Sequence, residues 1–405
     1  MANKLLTIDM ITNEALRLFV NSMVMGRLVN RKYSDYFAKN GMKIGKTLRI
    51  RKPVKYYASE GRVIQDGTIQ STVEEEVDLT VQSTYVALSF TTEDLKYSLD
   101  DFGRRILQPA VNALINRVDR AVLSLSRKAI HQVGDVTQGL NSAAKILEAG
   151  VKLDNAAAPR DGDRIFVVSP SASAAAVNSL KGLFNAQREI SENYVKGLIG
   201  KNQLGFDFYM SQNVWTHTNG TGVADTVTIN GANQTGTTLT ISGLTGDLTS
   251  GDRFNIAGVF AVNPVSRENT NVLQDFVVTG VNNAKTAVTV LPSIITEGVD
   301  QTVSASPANG AELSFIGNTN DLYDENLFFH KDAIALAIID RNEPKRPGAE
   351  VYTARSREYD CAITIAEQYN IVTEEVITKL MLDFAYEAVI PEWMGVFTSK
   401  TGPTE

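Results

Sequence analysis

The chain has 405 residues, of which 43% are hydrophobic and 21% charged, and its formal net charge is -7 at pH 7. This length allows two or three domains, and the composition is that of a globular protein and excludes a fibrous or disordered one. The acidic balance argues against a general nucleic-acid-binding surface, because neutralising phosphates needs clustered Lys and Arg. The single cysteine, Cys361, excludes an internal disulfide. No long apolar run or secretory signal is apparent, so we expect no membrane contact and a cytoplasmic site of synthesis.

Residues 1–40 are predicted to form an N-terminal arm with one amphipathic helix. Apolar residues recur at three- and four-residue spacing from Leu16 to Leu28, and Arg17 and Arg27 belong to the polar face. The helix either packs on a core with its basic residues solvated or serves as an arm that binds a partner. The sequence leaves both interpretations open.

Residues 41–90 are predicted to form a long hairpin, since apolar and polar residues alternate on both sides of the turn pair Asp66-Gly67. One strand is basic and the other acidic, which suits cross-strand pairs as well as contacts to a neighbouring copy; solvated charge is the alternative. The candidate interface residues here are Arg49, Arg51, Lys52, Lys55, Glu74, Glu75, Glu76 and Asp78. A two-stranded ribbon alone is marginal in water, so we expect it to need support from outside its own domain.

A long helix is predicted within residues 91–139, after a capping box at Ser98–Asp101. Apolar residues from Leu107 to Ala129 form one stripe, and roughly 30 residues at about 1.5 Å each give a rod of about 45 Å. Pro109 must begin the main helix or kink it. We expect this rod to support other elements.

The remaining chain is predicted to combine an α/β unit, an inserted all-β domain and closing elements. Residues 140–216 contain a buried strand at Arg164–Val168 followed by an Ala-rich helix. In residues 217–320, Thr, Gly, Asn, Ser and Val dominate, and short strand-like runs alternate with turn residues. This β domain is predicted to be an insertion, because helix-bearing sequence resumes after it. Residues 321–405 are predicted to form closing strands and a helix over residues 373–386.

Recognisable catalytic or metal-binding motifs are missing from the sequence. The three histidines, His131, His217 and His330, have no triad or metal-ligand spacing. His330-Lys331-Asp332 is the nearest to a catalytic string, but adjacent residues in a strand point to opposite faces, so we interpret His330 as structural. We predict no enzyme activity, no cofactor and no metal site.

The order of these segments resembles the major capsid (coat) proteins of tailed phages. Asn326–Ala337 is similar to a recurring strand motif of these proteins, Gly205–Asn213 resembles a strand leading out of their axial domain, and Asp383–Trp393 resembles their final helix and strand. Ser250–Gly258 and Asn271–Val278 resemble parts of the immunoglobulin-like, telokin-like insertion (I) domain found in coat proteins of short-tailed phages.

The resemblance implies an α+β phage capsid fold with an N-arm, an extended E-loop hairpin, a spine helix, and peripheral and axial domains, plus the inserted all-β I-domain. It implies pentamers and hexamers in an icosahedral virion shell around double-stranded DNA, assembled in the host cytoplasm as a procapsid that expands during packaging. The implied partners are the chain itself, a scaffolding protein and a portal protein, with weak contact to packaged DNA; a decoration protein is left open. The alternative is a binding or adhesion protein that carries an immunoglobulin-like domain on an α/β scaffold.

Overall fold

The computed structural model describes residues 8–32, 47–56, 61–64, 69, 75–91, 106–180, 204–339, 350–356, 361–371 and 375–401. The chain divides into two compact units, each built from segments that are distant in sequence. The first unit comprises Met1–Arg51, Glu76–Val122 and Ile334–Val389. The second comprises Lys52–Glu75, Leu123–Ala333 and Ile390–Glu405.

Strands outnumber helices in the described parts of the chain. The helices are α1 (Ile8–Ser22), α2 (Met25–Leu28), α3 (Gln108–Leu123), α4 (Ala143–Asn155) and α5 (Pro170–Leu180). The strands are β1 (Thr47–Arg51), β2 (Glu76–Thr91), β3 (His131–Gly134), β4 (Arg164–Val168), β5 (Asp207–Met210), β6 (Trp215–Thr218), β7 (Thr228–Ile229), β8 (Gly236–Ser242), β9 (Arg253–Val262), β10 (Asn269–Val281), β11 (Ala287–Ile294), β12 (Leu313–Phe315), β13 (Leu322–His330), β14 (Ile334–Ile339), β15 (Glu350–Ser356), β16 (Cys361–Asn370), β17 (Glu375–Ala388) and β18 (Met394–Lys400).

The first unit is organised around a sheet of order β1-β2-β17-β16-β15, with β14 also paired to β17. Strand β17 is central: β2 pairs with it from Glu375 to Ala385, and β16 and then β14 pair along its other edge. Its side chains Leu380, Leu382 and Phe384 are all at most 1% exposed. The hairpin strand β2 is therefore an integral part of this sheet. The expectation that its own domain would give it little support is wrong for the half that pairs with β17.

The predicted helix over residues 373–386 is wrong, because residues 375–386 belong to strand β17; residues 373 and 374 lie outside the described residues. Its apolar residues fit both a helical and an alternating pattern, and periodicity alone cannot separate the two for such a run. Backbone pairing to β2 on one edge and to β16 on the other decides for the strand. The resemblance of Asp383–Trp393 to a final helix and strand fails for the same reason, since this stretch contains the end of β17 and a 3₁₀ turn at Pro391–Trp393.

The predicted spine helix is present in its C-terminal part. Pro109 is the second residue of α3, and the two residues before α3, 106 and 107, are π-helical. The predicted stripe is confirmed: Val111, Leu114, Val118 and Val122 are each at most 1% exposed. The α-helix spans 16 residues, about 24 Å. It gives way to a 3₁₀ helix at Ser124–Lys128, so its last predicted turn is not α-helical. The capping box lies outside the described residues.

A buried carboxyl group links the N-terminal arm to α3 within the first unit. Asp119, only 4% exposed, accepts a hydrogen bond at Oδ1 from the backbone N–H of Met25 in α2, at 3.2 Å. Burial raises the pKa of Asp119 to about 7, against an ordinary value of 3.8. The folded protein therefore holds this proton through a pH range in which the unfolded chain has already lost it.

We expect Asp119→Asn to remove a pH dependence of stability. The folded-state pKa is raised, so the stability of the wild type falls as pH rises from about 4 to about 7 and then levels off. The amide keeps an acceptor for the Met25 N–H and cannot ionise. At pH 8 the variant is expected to be more stable by several kcal/mol, because each unit by which the pKa of Asp119 is raised costs the wild type about 1.4 kcal/mol; at pH 4 the two should be equal.

Urea unfolding of the purified subunit at the two pH values measures this difference. Asp247→Asn is the matched control, because that carboxylate is 84% exposed. If the free energy of unfolding changed equally in both variants, or did not change in Asp119→Asn at pH 8, Asp119 would be ionised in the folded subunit without a cost in stability.

The second unit contains an α/β sheet of order β3-β18-β13-β4-β5, with β6 also paired to β13. Phenylalanines cross one face of it: Phe328 lies opposite Phe166, and Phe166 opposite Phe208, whose ring stacks on it at 5.0 Å. Helices α4 and α5 cover this face with buried residues that join the same apolar cluster, among them Ile146, Leu153, Ala172 and Ala176. The predicted buried strand Arg164–Val168 and the helix after it are confirmed as β4 and α5.

The second unit also contains an all-β sheet of order β12-β9-β10-β11-β8-β7, formed by residues 228–315. It has an apolar cluster of its own, which includes Phe254, Phe276, Val288 and Ile241. Both stretches singled out by their resemblance to an I-domain contribute to this sheet, as β9 and β10. The all-β character predicted for this part of the sequence agrees with the fold, while the proposed domain divisions stay predictions.

Candidate assembly interface

The hairpin strands of the first unit pair their charges within one chain. Strands β1 and β2 are antiparallel, with Arg49 opposite Asp78 and Arg51 opposite Glu76. The Arg49 guanidinium lies 3.5 Å from the Glu76 carboxylate and 3.4 Å from that of Asp78. All three side chains are 42–70% exposed. Because water screens such exposed pairs, each contributes only about 0–1 kcal/mol to the fold, and the charges stay accessible to a neighbour.

The second unit contains two more charge pairs made by predicted interface residues. Lys52 Nζ lies 2.9 Å from a Glu75 carboxylate oxygen, and their backbones are also hydrogen-bonded at 2.8 Å. The hydrogen bond from Lys52 holds the pKa of Glu75 below its usual value. Lys55 lies 3.8 Å from Glu392, a contact that was not predicted. Glu74 is outside the described residues.

The two predicted arm arginines lie on exposed helical surface in the first unit. Arg17 on α1 is 63% exposed and is paired with Glu14 one turn earlier at 2.6 Å. Its hydrogen bond lowers the pKa of Glu14. Arg27 is exposed in the last turn of α2. Leu16, Phe19 and Leu28 of the same helices are buried, so the predicted amphipathic pattern is present, but it is divided between two helices with Val24 exposed between them. The role of this segment as an arm stays a prediction.

Apolar side chains of the hairpin tip, in the second unit, are nearly fully exposed. Val63, Ile64 and Ile69 are 77–80% exposed, and Tyr56 is 60% exposed. Single exposed apolar residues are ordinary, but several within one short segment are typical of a surface that another molecule covers. The sequence interpretation missed this apolar surface because it considered only the charges of the hairpin. The apolar residues themselves are present in the sequence of the tip.

A buried ion pair in the second unit was missed by the sequence interpretation. Arg253 on β9 and Glu325 on β13 are both 1% exposed, with 3.6 Å between Nη2 and Oε1. Arg253 Nη2 also donates to the Ser126 carbonyl at 2.7 Å, and the Ser126 hydroxyl donates to Glu325 Oε2 at 2.6 Å. The all-β sheet is thus joined to the 3₁₀ turn after α3 and to the central strand of the α/β sheet. A lone arginine beside an apolar strand run was the only signal available in the sequence.

A second buried pair involves Asp252, the residue directly before β9. His217 Nε2 is 2.8 Å from Asp252 Oδ1, and the two side chains are 2% and 0% exposed. Asp252 also accepts backbone N–H groups of Gly220 and Thr249. Its carboxylate oxygens are therefore occupied by structural donors. The pair thus joins β6, which belongs to the α/β sheet, to the residue that precedes β9 of the all-β sheet.

The other two histidines also have structural surroundings in the second unit. His330 Nε2 lies 3.0 Å from Asp161, and the ring packs edge-on against Trp393 at 5.4 Å. The backbone N–H of Asp332 donates a hydrogen bond to His330 Nδ1 at 3.3 Å. Burial lowers the pKa of His131 to about 4, so this ring is neutral at pH 7.

Among the described residues, His, Cys, Asp and Glu side chains nowhere gather in a group of three or more that could hold a metal ion. Within the same parts of the chain, no helix is both long and apolar enough to cross a bilayer. The exposed surface of the hairpin carries charge pairs that water screens and apolar side chains that no other residue covers. Such surface suits contact with another macromolecule.

Comparison with protein families gives a match over nearly the whole chain. Residues 1–398 match the family described as "P22 coat protein - gene protein 5". No curated protein matches the chain in sequence.

Solved structures of phage particles resemble the fold at low identity. A structure from Mycobacterium phage Che8 is 15% identical, covers 93% of this chain and 91% of its own, and has a TM-score of 0.46. The capsid of Ralstonia phage GP4 is 7% identical, with 89% and 85% coverage and a TM-score of 0.47. The capsid of cyanophage P-SCSP1u is 10% identical, with 98% and 91% coverage and a TM-score of 0.44.

The class of protein that emerges is that of bacteriophage major capsid proteins, which are structural proteins of icosahedral virion shells. Within that class, the chain belongs to the P22 coat protein family, since the family match spans most of its length. The expected phage capsid protein is confirmed at this level.

Proposed function

We propose that this coat protein assembles as pentamers and hexamers into an icosahedral shell around double-stranded DNA, and that the hairpin of β1 and β2 is an E-loop that reaches across an adjacent subunit. The pairing of β2 in the first unit supports this role. Residues 81–91 of β2 pair with β17, whereas residues 76–80 pair with β1 only. The hairpin therefore extends beyond β17, since residues 76–80 of β2 are paired with β1 and not with β17.

The observation that carries the proposal is the exposure of the hairpin tip in the second unit. Val63, Ile64 and Ile69 lose hydrophobic stabilisation as long as water surrounds them. A neighbouring copy that covers them would recover it. Every subunit of a closed shell has such neighbours, so the hairpin tip of each subunit can be covered in the same way.

We further infer roles for the β-rich segment and for the N-terminal arm. Residues 217–320 would be the I-domain, which helps the subunit fold and stabilises the shell. The arm with Arg17 and Arg27 would contact a scaffolding protein or a neighbouring capsomer in a procapsid that expands as DNA enters through a portal. Contact with the packaged DNA would be weak and non-specific, because the net charge is -7.

We expect reversal of Glu74, Glu75 and Glu76 to Lys to abolish shell assembly while the subunit still folds. The described pairs of Glu75 and Glu76 are exposed, so their loss costs the fold about 0–1 kcal/mol each. At a contact repeated in every subunit, the same reversal places like charges against the neighbour. The measurement is the yield of shells in a sedimentation gradient, with a decrease of at least about tenfold expected, next to the urea midpoint of the subunit.

The compensated variant with Arg49→Glu, Arg51→Glu, Glu76→Lys and Asp78→Lys separates the two roles of these charges, because each reversed residue still faces an opposite charge across the β1–β2 pair. It restores a cross-strand pair of opposite sign within the chain and still reverses the charges offered to a neighbour. Failure of this variant to assemble supports an intersubunit hairpin. Normal shell yields from both variants would show that the hairpin charges act only within their own subunit.

A further inference from the structure

Helix α4 in the second unit is apolar on two opposite sides. Its inner side carries Ile146, Ala149 and Leu153, each at most 1% exposed, which pack into the cluster over the α/β sheet. At about 100° per residue, Ala144, Leu147 and Val151 lie together on the opposite side of the helix. Leu147 is 51% exposed and Val151 53% exposed. A helix that only covers a sheet is normally polar on its outer side, so this outer stripe is unexplained by the fold of the subunit.

An ion pair ties α4 to strand β10 beside this outer stripe. Lys152, next to Val151, bonds through Nζ to the Asp275 carboxylate of β10 at 2.6 Å, and the two side chains are only 15% and 8% exposed. Asp275 also accepts the backbone N–H of Gln132 at 3.1 Å. Near Asp275 on β10, Val272 and Leu273 are 38% and 37% exposed. A partly buried ion pair thus joins two exposed apolar segments that are more than a hundred residues apart in sequence.

The charges around the stripe indicate what kind of molecule covers it. Lys152 is paired with Asp275, and Lys145 with Glu148 at 2.9 Å. Paired cations leave no excess positive charge for a polyanion such as DNA, which binds through clustered unpaired Lys and Arg. An apolar stripe edged by neutralised ion pairs is instead the composition of a protein–protein contact, with an apolar centre and a polar rim.

We propose that the α4 stripe, defined as Leu147 and Val151, is the apolar centre of a contact with a second copy of this chain. The inference rests on the proposed function, because a coat protein meets copies of itself in every position of its shell. It adds a second contact region, separate in sequence from the hairpin. In a ring of subunits, a copy uses different surfaces towards its two neighbours, so a hairpin contact alone leaves other faces to be covered.

Cysteine labelling tests the contact directly. Leu147→Cys and Val151→Cys place a thiol on the stripe, and the native Cys361 is only 3% exposed and gives little background. We expect a maleimide to modify both thiols rapidly in the unassembled subunit and at least about tenfold more slowly in shells that contain this chain alone. Val265→Cys, at a loop position that is 71% exposed, is the matched control and shows whether the shell itself hinders the reagent.

The possible results separate this inference from the proposed function. Equal labelling of the stripe in subunits and shells overturns the inference and leaves shell formation intact. Protection only in particles that also contain a scaffolding protein assigns the stripe to that protein and likewise overturns it. If the wild type forms no shells at all, the proposed function fails first.

A substitution series complements the labelling. The double variant Leu147→Ser with Val151→Ser changes exposed positions, so the urea midpoint of the subunit should stay nearly unchanged. Shell yield should fall at least about tenfold, while Val265→Ser assembles like the wild type. Full shell yield from the double variant would contradict the contact.

Discussion

Replacing Arg253 by Met is expected to destabilise the subunit by about 3–5 kcal/mol. The change removes the positive partner of Glu325, whose side chain is buried at 1% exposure. The Ser126 hydroxyl still donates a hydrogen bond to Glu325 Oε2, but it carries no charge. A buried carboxylate without a counter-charge is far more costly than the pair was favourable. Urea unfolding of the purified subunit measures the loss. The slope of the unfolding free energy against urea concentration should stay the same as in the wild type.

The double variant Arg253→Met with Glu325→Gln is the decisive control. Replacing both charges by neutral groups leaves no uncompensated charge, so it should be more stable than either single variant. The amide still accepts the hydrogen bond that the Ser126 hydroxyl donates. If the double variant lost the sum of the two single losses, the two side chains would be independent, and the proposed coupling between the sheets would be wrong.

Gly395→Ala is expected to destabilise the subunit by about 1–3 kcal/mol through overpacking. Gly395 on β18 pairs with Phe328 on β13, and a Cβ added there would overlap the Phe328 ring and lie 2.9 Å from the Cβ of His131. The ring belongs to the row of phenylalanines in the core and is fully buried, so moving it would disturb its neighbours. Chemical denaturation of the subunit measures the loss.

Gly280→Ala provides the comparison within the same unit. Gly280 also lies in a strand, β10, but a Cβ there would meet no atom within 4 Å. Removing glycine at an open position restricts the unfolded chain, so stability should stay equal or rise slightly. Equal losses in both variants would mean that the effect at Gly395 reflects strand glycine in general and not the Phe328 ring.

Short-range patterns in the sequence predicted much of the fold. The alternating hairpin appears with Ile50 and Leu79 buried and with its charges exposed in cross-strand register. The apolar stripe of α3 and the buried strand β4 also match their patterns, because burial on one face imposes a period that is visible in one dimension.

Features that depend on contacts between distant residues could not be predicted. Strand β17 was taken for a helix because its apolar residues fit both patterns, and its long pairing with β2 joins it to a strand from the opposite end of the chain. The pairing of Arg253 with Glu325 joins positions 72 residues apart. Nothing in local spacing marks such partners. For the candidate interface, residue types and charges were predicted, whereas the exposed apolar tip and the α4 stripe required knowledge of burial.

Assembly of the purified full chain tests the central claim most directly. Sedimentation combined with negative-stain electron microscopy, for the chain alone and coexpressed with a scaffolding protein, should reveal rings of five or six subunits and closed icosahedral shells. A single small species that stays a monomer or dimer at all concentrations, with and without the scaffolding protein, would contradict the account.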